Sequence, residues 1–104
     1  MKSDNVIQVK SYAFAVNIVK TYKLLVEEKK EYVLSKQLLK SGTSIGANTE
    51  EALGGQSEKD FYAKLNIVYK EARETHYWLR LLYDCEEILK IVGSITKTLK
   101  SKLS

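Results

Sequence analysis

The chain has 104 residues, 44% of them hydrophobic and 29% charged, which is enough for one domain over residues 1–104 and leaves no room for a second core. It contains five Gly and no Pro, so almost any stretch can run on as helix, and an all-β fold is all but excluded. Seventeen Lys and Arg against thirteen Asp and Glu give a net +4, which suits a polyanionic partner without requiring one.

Charge is unevenly distributed. Residues 1–48 carry eight Lys and four acids, residues 49–87 five bases and nine acids, and residues 88–104 four Lys and no acid. The basic excess therefore sits at the two ends of the chain. Cys85 is the single cysteine and cannot form an internal disulfide. The segment Met1-Lys2-Ser3-Asp4-Asn5 lacks the apolar core of a secretory signal, so the expected compartment is the cytoplasm. The apolar runs Ala13 to Val16 and Leu24 to Val26 fall far short of the roughly 20 residues that span a bilayer, so no membrane segment is expected.

A first helix is predicted from Asn5 to about Glu28. Ile7, Phe14, Ile18, Tyr22 and Leu25 form one series at helical spacing, and Val9, Tyr12, Ala13, Val16 and Val19 a second, so the apolar surface is broad. Such a helix either sits centrally in one bundle or turns its second face to another subunit. The cluster Glu27-Glu28-Lys29-Lys30-Glu31 reads as a helix end and turn, because none of its side chains can enter a core.

A second helix is predicted to begin near Tyr32, with Leu34, Leu38, Ile45, Thr49 and Ala52 on one stripe. Its middle, Ser41 to Asn48, has the composition of a loop, and a loop joining two short helices is the alternative. Each mid-helix Gly costs about 0.5–1 kcal/mol relative to Ala, so a helix holding Gly42 and Gly46 requires close backbone packing as an offset.

Gly54-Gly55 is the strongest stop signal, and Ser57 with Asp60 three residues on resembles a capping box that opens a third helix. Phe61, Leu65, Val68, Ala72, Thr75, Leu79 and Leu82 give it a core stripe, while Tyr62, Tyr69, His76 and Tyr83 repeat every seven residues beside it. That aromatic shoulder is suited to packing or subunit contact, or alternatively to base stacking. No Gly or Pro falls between Gln56 and Val92, so the pattern permits one helix of roughly 47 residues, about 70 Å long. That exceeds the dimensions of a closed domain of this size. The favoured reading is a break at Tyr83-Asp84, with Asp84 and Glu87 capping a fourth helix that carries Ile88, Leu89, Ile91, Val92, Ile95 and Leu99. Without a break, the fourth helix must pack on a neighbouring molecule.

Enzymatic chemistry finds little support. A di-iron or di-manganese bundle needs two Glu-x-x-His pairs, and the one histidine, His76, follows Arg73 instead. One His and one Cys cannot supply a zinc site, and the glycines form no phosphate-binding loop. Helical ribonuclease domains space Arg and His more widely than Arg73 and His76. Glu71 and Glu74 are a weak acid–base signal with no nucleophile or metal beside them. Ser44, Asn48, Glu71, Arg73, Glu74 and Thr75 could instead form a hydrogen-bonded layer between the second and third helices. No cofactor or metal is expected. Lys90, Lys97, Lys100 and Lys102 near the C-terminus, with Lys10, Lys20 and Lys23 in the first helix, are candidate phosphate-binding residues, or else a solvated helix face.

The run Leu38 to Ala52, with Gly55 to Phe61 and Lys70 to Leu82, resembles the four-helix-bundle family of 23S rRNA intervening-sequence proteins, once labelled ribosomal proteins and related to the accessory variability determinant of diversity-generating retroelements. The resemblance covers nearly the whole chain. It implies an all-α, up-down four-helix protomer, assembly into a homopentamer, and nucleic-acid or protein scaffolding rather than catalysis. Ser41, Gly42, Ile45, Gly46, Asn48, Glu51, Ala52, Glu71, Arg73, Glu74 and Trp78 match its motif positions as structural hallmarks. The sequence departs from the family between Tyr83 and Asp84, where relatives carry a longer connection. Two functions are expected: a non-enzymatic oligomer binding RNA or DNA backbones, or a protein-interaction scaffold whose basic ends pair with residues such as Glu50, Glu51, Glu58 and Asp60.

Overall fold

The computed structural model describes residues 5–103, and of residues 85–94, 96, 99 and 103 the backbone alone. The elements are α1 (Val6–Glu27), α2 (Leu34–Leu53) and α3 (Glu58–Leu103), with no strand among the described residues. The all-α class holds, and α1 matches its predicted span.

Each helix starts where the sequence offers an acceptor. The Asn5 side chain accepts from the Gln8 amide at 3.2 Å to open α1. Ser57 Oγ accepts from the Asp60 amide at 3.1 Å to open α3, the geometry that the Ser57/Asp60 spacing anticipates. For α2 the boundary residue Val33 has no capping side chain. Glu31 supplies it instead, its carboxylate accepting from the Leu34 amide at 2.9 Å and the Ser35 amide at 2.7 Å. Between α1 and α2 the chain reverses through Lys30, whose φ of 55° is the single positive value among described non-glycine residues.

Gly42 and Gly46 lie inside α2 as helix, not loop. They let α1 approach closely: a Cβ on Gly42 would stand 2.8 Å from Ile18, and one on Gly46 3.3 Å from the Ser11 carbonyl oxygen. On its other side α2 packs against α3. The Ser41–Thr75 hydroxyl contact at 2.9 Å and the Lys64–Glu51 ion pair at 3.1 Å fix these two helices as antiparallel. Among the described residues α1 and α3 pack only against α2, never against each other.

The expected turn at Tyr83-Asp84, and with it a separate fourth helix, is absent: α3 passes through both residues as one helix of 46 residues. The physical reason lies in the local sequence. Asp84 and Glu87 have cap spacing, but no Gly or Pro there forbids helix, and opening the last turn would forfeit backbone hydrogen bonds with nothing to replace them. The consequence is length. In the antiparallel register of α2 and α3, Leu34 stands opposite about residue 82, so the remainder of α3 projects past the end of α2. The molecule measures 70 × 21 × 20 Å with a radius of gyration of 18.9 Å, against about 13 Å for a closed domain of this size.

The core is correspondingly thin. Ile18, Leu38, Ala52 and Val68 are the buried hydrophobics among the described residues, joined by Ser11, Ser35, Ser41, Thr49 and Thr75. Of the third-helix core stripe, Val68 and Thr75 are buried, while Phe61, Ala72 and Leu79 remain exposed. The buried hydroxyls are satisfied within their own helices, Thr49 donating to the Ile45 carbonyl and Ser35 to the Glu31 carbonyl, each at 2.7 Å.

Candidate nucleic-acid interface

The predicted phosphate-binding lysines fall into two groups. Lys10, Lys20 and Lys23 are exposed along α1. Lys97, Lys100 and Lys102 are exposed on the projecting half of α3, and Lys90 lies on the same segment with its side chain outside the described residues. Ile18, Gly42, Ser41 and Thr75 share one level of the fold, and Lys97 is 22 residues beyond Thr75, about 33 Å further along the axis. One protomer therefore does not gather all the lysines into one patch. The α3 group does frame a shallow recess with Thr98 and Ser101 between Lys97 and Lys102, ammonium and hydroxyl donors of the kind that meet phosphate oxygens.

The family-motif positions lie on α2 and α3. Ser41 is buried against Thr75; the Thr75 hydroxyl also lies 2.8 Å from the Glu71 carbonyl, so Thr75 donates there and accepts from Ser41. Gly42 and Gly46 are the α1 contact, Ile45 is half-buried beside them, and Ala52 is buried at the end of α2. Asn48 Nδ2 donates to the Ser44 carbonyl at 2.8 Å, and Ser44 to the Lys40 carbonyl at 2.6 Å. Glu51 holds Lys64. Glu74 accepts from the Trp78 indole at 3.3 Å, and Trp78 meets Tyr77 edge to face at 5.3 Å. The expected polar layer thus reduces to one cross-helix bond, Ser41–Thr75. Ser44 and Asn48 instead donate to i−4 carbonyls of their own helix, and Glu74 accepts from Trp78 on its own.

Sequence reading missed the company that the aromatic shoulder keeps. The Arg73 guanidinium lies 5.8 Å from the Tyr69 ring centre. Tyr69, Arg73, His76, Tyr77 and Arg80 together line an open trough of about 640 Å³ on α3. The signal was available: 69, 73, 77 and 73, 76, 80 are i, i+4 and i, i+3 neighbours. Arg and Tyr dominate recognition surfaces because they contribute planar contact area with charge or a hydroxyl at its edge. His76 is exposed, as a helix-surface residue. Among the described residues no three His, Cys, Asp or Glu side chains converge as a metal site, and no helix is long and apolar enough to cross a membrane.

Closely packed antiparallel helices, a small-residue α1–α2 contact and a basic projecting segment define an all-α helical-bundle protein. The chain belongs to the 23S rRNA-intervening sequence protein family, whose model it matches over residues 3–102. A crystal structure from Bacteroides thetaiotaomicron VPI-5482, of a protein with unknown function from the S23 ribosomal protein family, is 60% identical to it. The two superpose with a TM-score of 0.77 over 79% of this chain and 76% of that one. No curated protein matches the chain.

Proposed function

We propose that the protein is a non-catalytic, assembling accessory protein that binds the phosphate backbone of ribosomal RNA or DNA. The observation that carries this reading is the run of exposed lysines Lys97, Lys100 and Lys102 on a helix with no acid after Glu87. Lysine is a flexible point charge, so such a row neutralises phosphates without reading bases. Lys10, Lys20 and Lys23 extend the basic surface, and the Tyr69–Arg73 pair offers a place for an unstacked base. The family's association with 23S rRNA inserts agrees with an RNA ligand.

Binding to structured ribosomal RNA and to duplex DNA, measured across a salt series, tests this. The expected result is a steep loss of affinity with salt whose slope falls by about 3 in the triple variant Lys97→Glu, Lys100→Glu, Lys102→Glu. No binding at low salt sinks the reading. A protein-interaction scaffold is the second reading, favoured by the extent of exposed apolar surface, including Val33 at 72% and Tyr62 at 71% exposure.

A further inference from the structure

Of the seventeen basic residues in the chain, two are arginines, Arg73 and Arg80, and both line the open trough of about 640 Å³ on α3. Lysine meets a phosphate as a point charge, whereas a guanidinium is planar, stacks on rings and presents a fork of donors. The trough therefore holds a chemistry that the lysine rows of α1 and α3 lack. Its charge also runs against its surroundings. Residues 49–87 carry five bases and nine acids, yet three of those bases, Lys70, Arg73 and Arg80, stand together here with Glu74 as the one acid of the lining. Glu74 is engaged by the Trp78 indole at 3.3 Å, and among the described residues no carboxylate pairs with either arginine.

The planar groups are set in series. Tyr69, Arg73 and Tyr77 follow at i, i+4 and i+8, a ring, a guanidinium and a ring at steps of about 6 Å along the axis. Arg73 is held 5.8 Å from the Tyr69 ring centre, and Tyr77 meets Trp78 edge to face at 5.3 Å. Both are thus oriented before a ligand arrives, which lowers the cost of binding, although Tyr69 is 66% and Tyr77 50% exposed. Two planes that take a third between them stand about 6.8 Å apart, twice the 3.4 Å repeat of stacked bases. The step from Arg73 to Tyr77, on side chains that diverge from the axis, matches that separation. Arg80 follows Tyr77 at i+3, with its fork available for an oxyanion.

We propose that the trough binds an unpaired nucleotide of a single-stranded nucleic acid, its base stacked between Arg73 and Tyr77 and its phosphate on Arg80. This rests on the reading of the protein as a phosphate-backbone binder, and adds that the strand is single where it crosses this part of α3. A duplex has no base to offer, because its bases are already paired and stacked. A free small molecule is most often enclosed by its site, whereas an open trough suits a ligand that enters and leaves as a chain. The lysines of the projecting half are aligned with it. Thr98 follows Arg80 by five whole turns, so the recess framed by Lys97 and Lys102 lies on the trough's side of α3, about 27 Å further along. Asp84 and Glu87 fall between the two, which makes them separate contacts on one strand and not a continuous track.

The test uses the full chain, a labelled oligouridylate of about twelve nucleotides, its deoxy counterpart and an RNA duplex of the same length, with fluorescence anisotropy across a salt series. The natural chain should hold the single strand at least as tightly as the duplex, despite the duplex's denser charge. Tyr77→Ala should lower single-strand affinity about tenfold at an unchanged salt slope, since a ring is lost and no charge. Tyr77→Phe should retain the affinity. Arg73→Lys keeps the charge and loses the plane, and should lower single-strand affinity several-fold; being an exposed position, it decides the matter should Tyr77→Ala unfold. Neither contact needs a 2′-hydroxyl, so ribo and deoxy strands should lose alike, and a loss confined to one names that strand as the ligand. Single-strand affinity unmoved by Arg73→Lys, or single strand and duplex weakened equally, overturns the trough while leaving the lysine-borne reading intact. No binding of any probe at low salt removes that reading, and this inference with it.

Discussion

Glu31 caps α2 from outside the helix. Its two oxygens take the Leu34 and Ser35 amides, two of the backbone donors that a bare Val33 boundary would leave open, while the Ser35 hydroxyl donates to the Glu31 carbonyl. Burial acts to raise the Glu31 pKa, but hydrogen bonds from the Leu34 and Ser35 amides to the charged form outweigh it, and the net shift is downward from 4.5. A carboxyl whose folded pKa lies below its unfolded value contributes its full stabilisation above the unfolded value, and loses it as pH falls through the folded one. Glu31→Ala should therefore cost about 1 kcal/mol at pH 7. In urea titrations the gap between variant and natural chain should close as the pH is lowered below 4.5. A gap that stays constant with pH would mean that the charged carboxylate is not the cap. The same turn holds Lys30 at a φ of 55°, so the capped geometry is kept at the expense of a left-handed residue without glycine's freedom.

At the level of elements, the α1–α2 contact is set by what Gly42 lacks. A Cβ there would stand 2.8 and 2.9 Å from Cγ1 and Cγ2 of Ile18. Both atoms branch from a β-carbon that has one preferred rotamer in a helix, so Ile18 cannot swing aside. Gly42→Ala gains up to about 1 kcal/mol of helix propensity but loses more to overpacking, for a net destabilisation of about 1–2 kcal/mol. In an Ile18→Ala background the clash is gone, and the same substitution should become neutral or stabilising; a denaturant double-mutant cycle measures the difference. This contact was legible in the sequence because two glycines inside a helical pattern are explicable only by close approach. Ser57 and Gly54-Gly55 were legible for a similar reason, since a stop and a cap are local chemistry. The continuity of α3 was not. Asp84 and Glu87 have the spacing of a cap, and the choice between turn and helix rests on whether the next apolar stripe finds a partner within the chain or beyond it, which no local pattern encodes. The candidate site divides in the same way: the lysines could be read from composition, whereas the Tyr69–Arg73 trough needed the helix surface to bring its members together.

The whole molecule is a thin core with a wide apolar exterior. Four buried hydrophobic side chains among the described residues stand against Val6, Val9, Tyr12, Val33, Tyr62 and Tyr69, each more than half exposed. Burial stabilises by roughly 25 cal/mol per Å² of apolar surface, so the exposed apolar side chains named above are a source of stabilisation that one chain leaves unused. For the assembling protein proposed above, association supplies part of the folding free energy, and stability becomes a function of protein concentration. For an oligomer with no stable free monomer, each tenfold rise in concentration adds about 1.4 kcal/mol to the folded side for every subunit joined beyond the first. The thermal midpoint should climb by several degrees over a hundredfold concentration range, and calorimetry or circular dichroism at micromolar and submillimolar protein measures it. An unchanged midpoint would show that one chain closes its own core, a result that α3 permits only by bending at the residues where it now runs straight. The concentration series thus asks whether the exposed apolar surface is an interface at all.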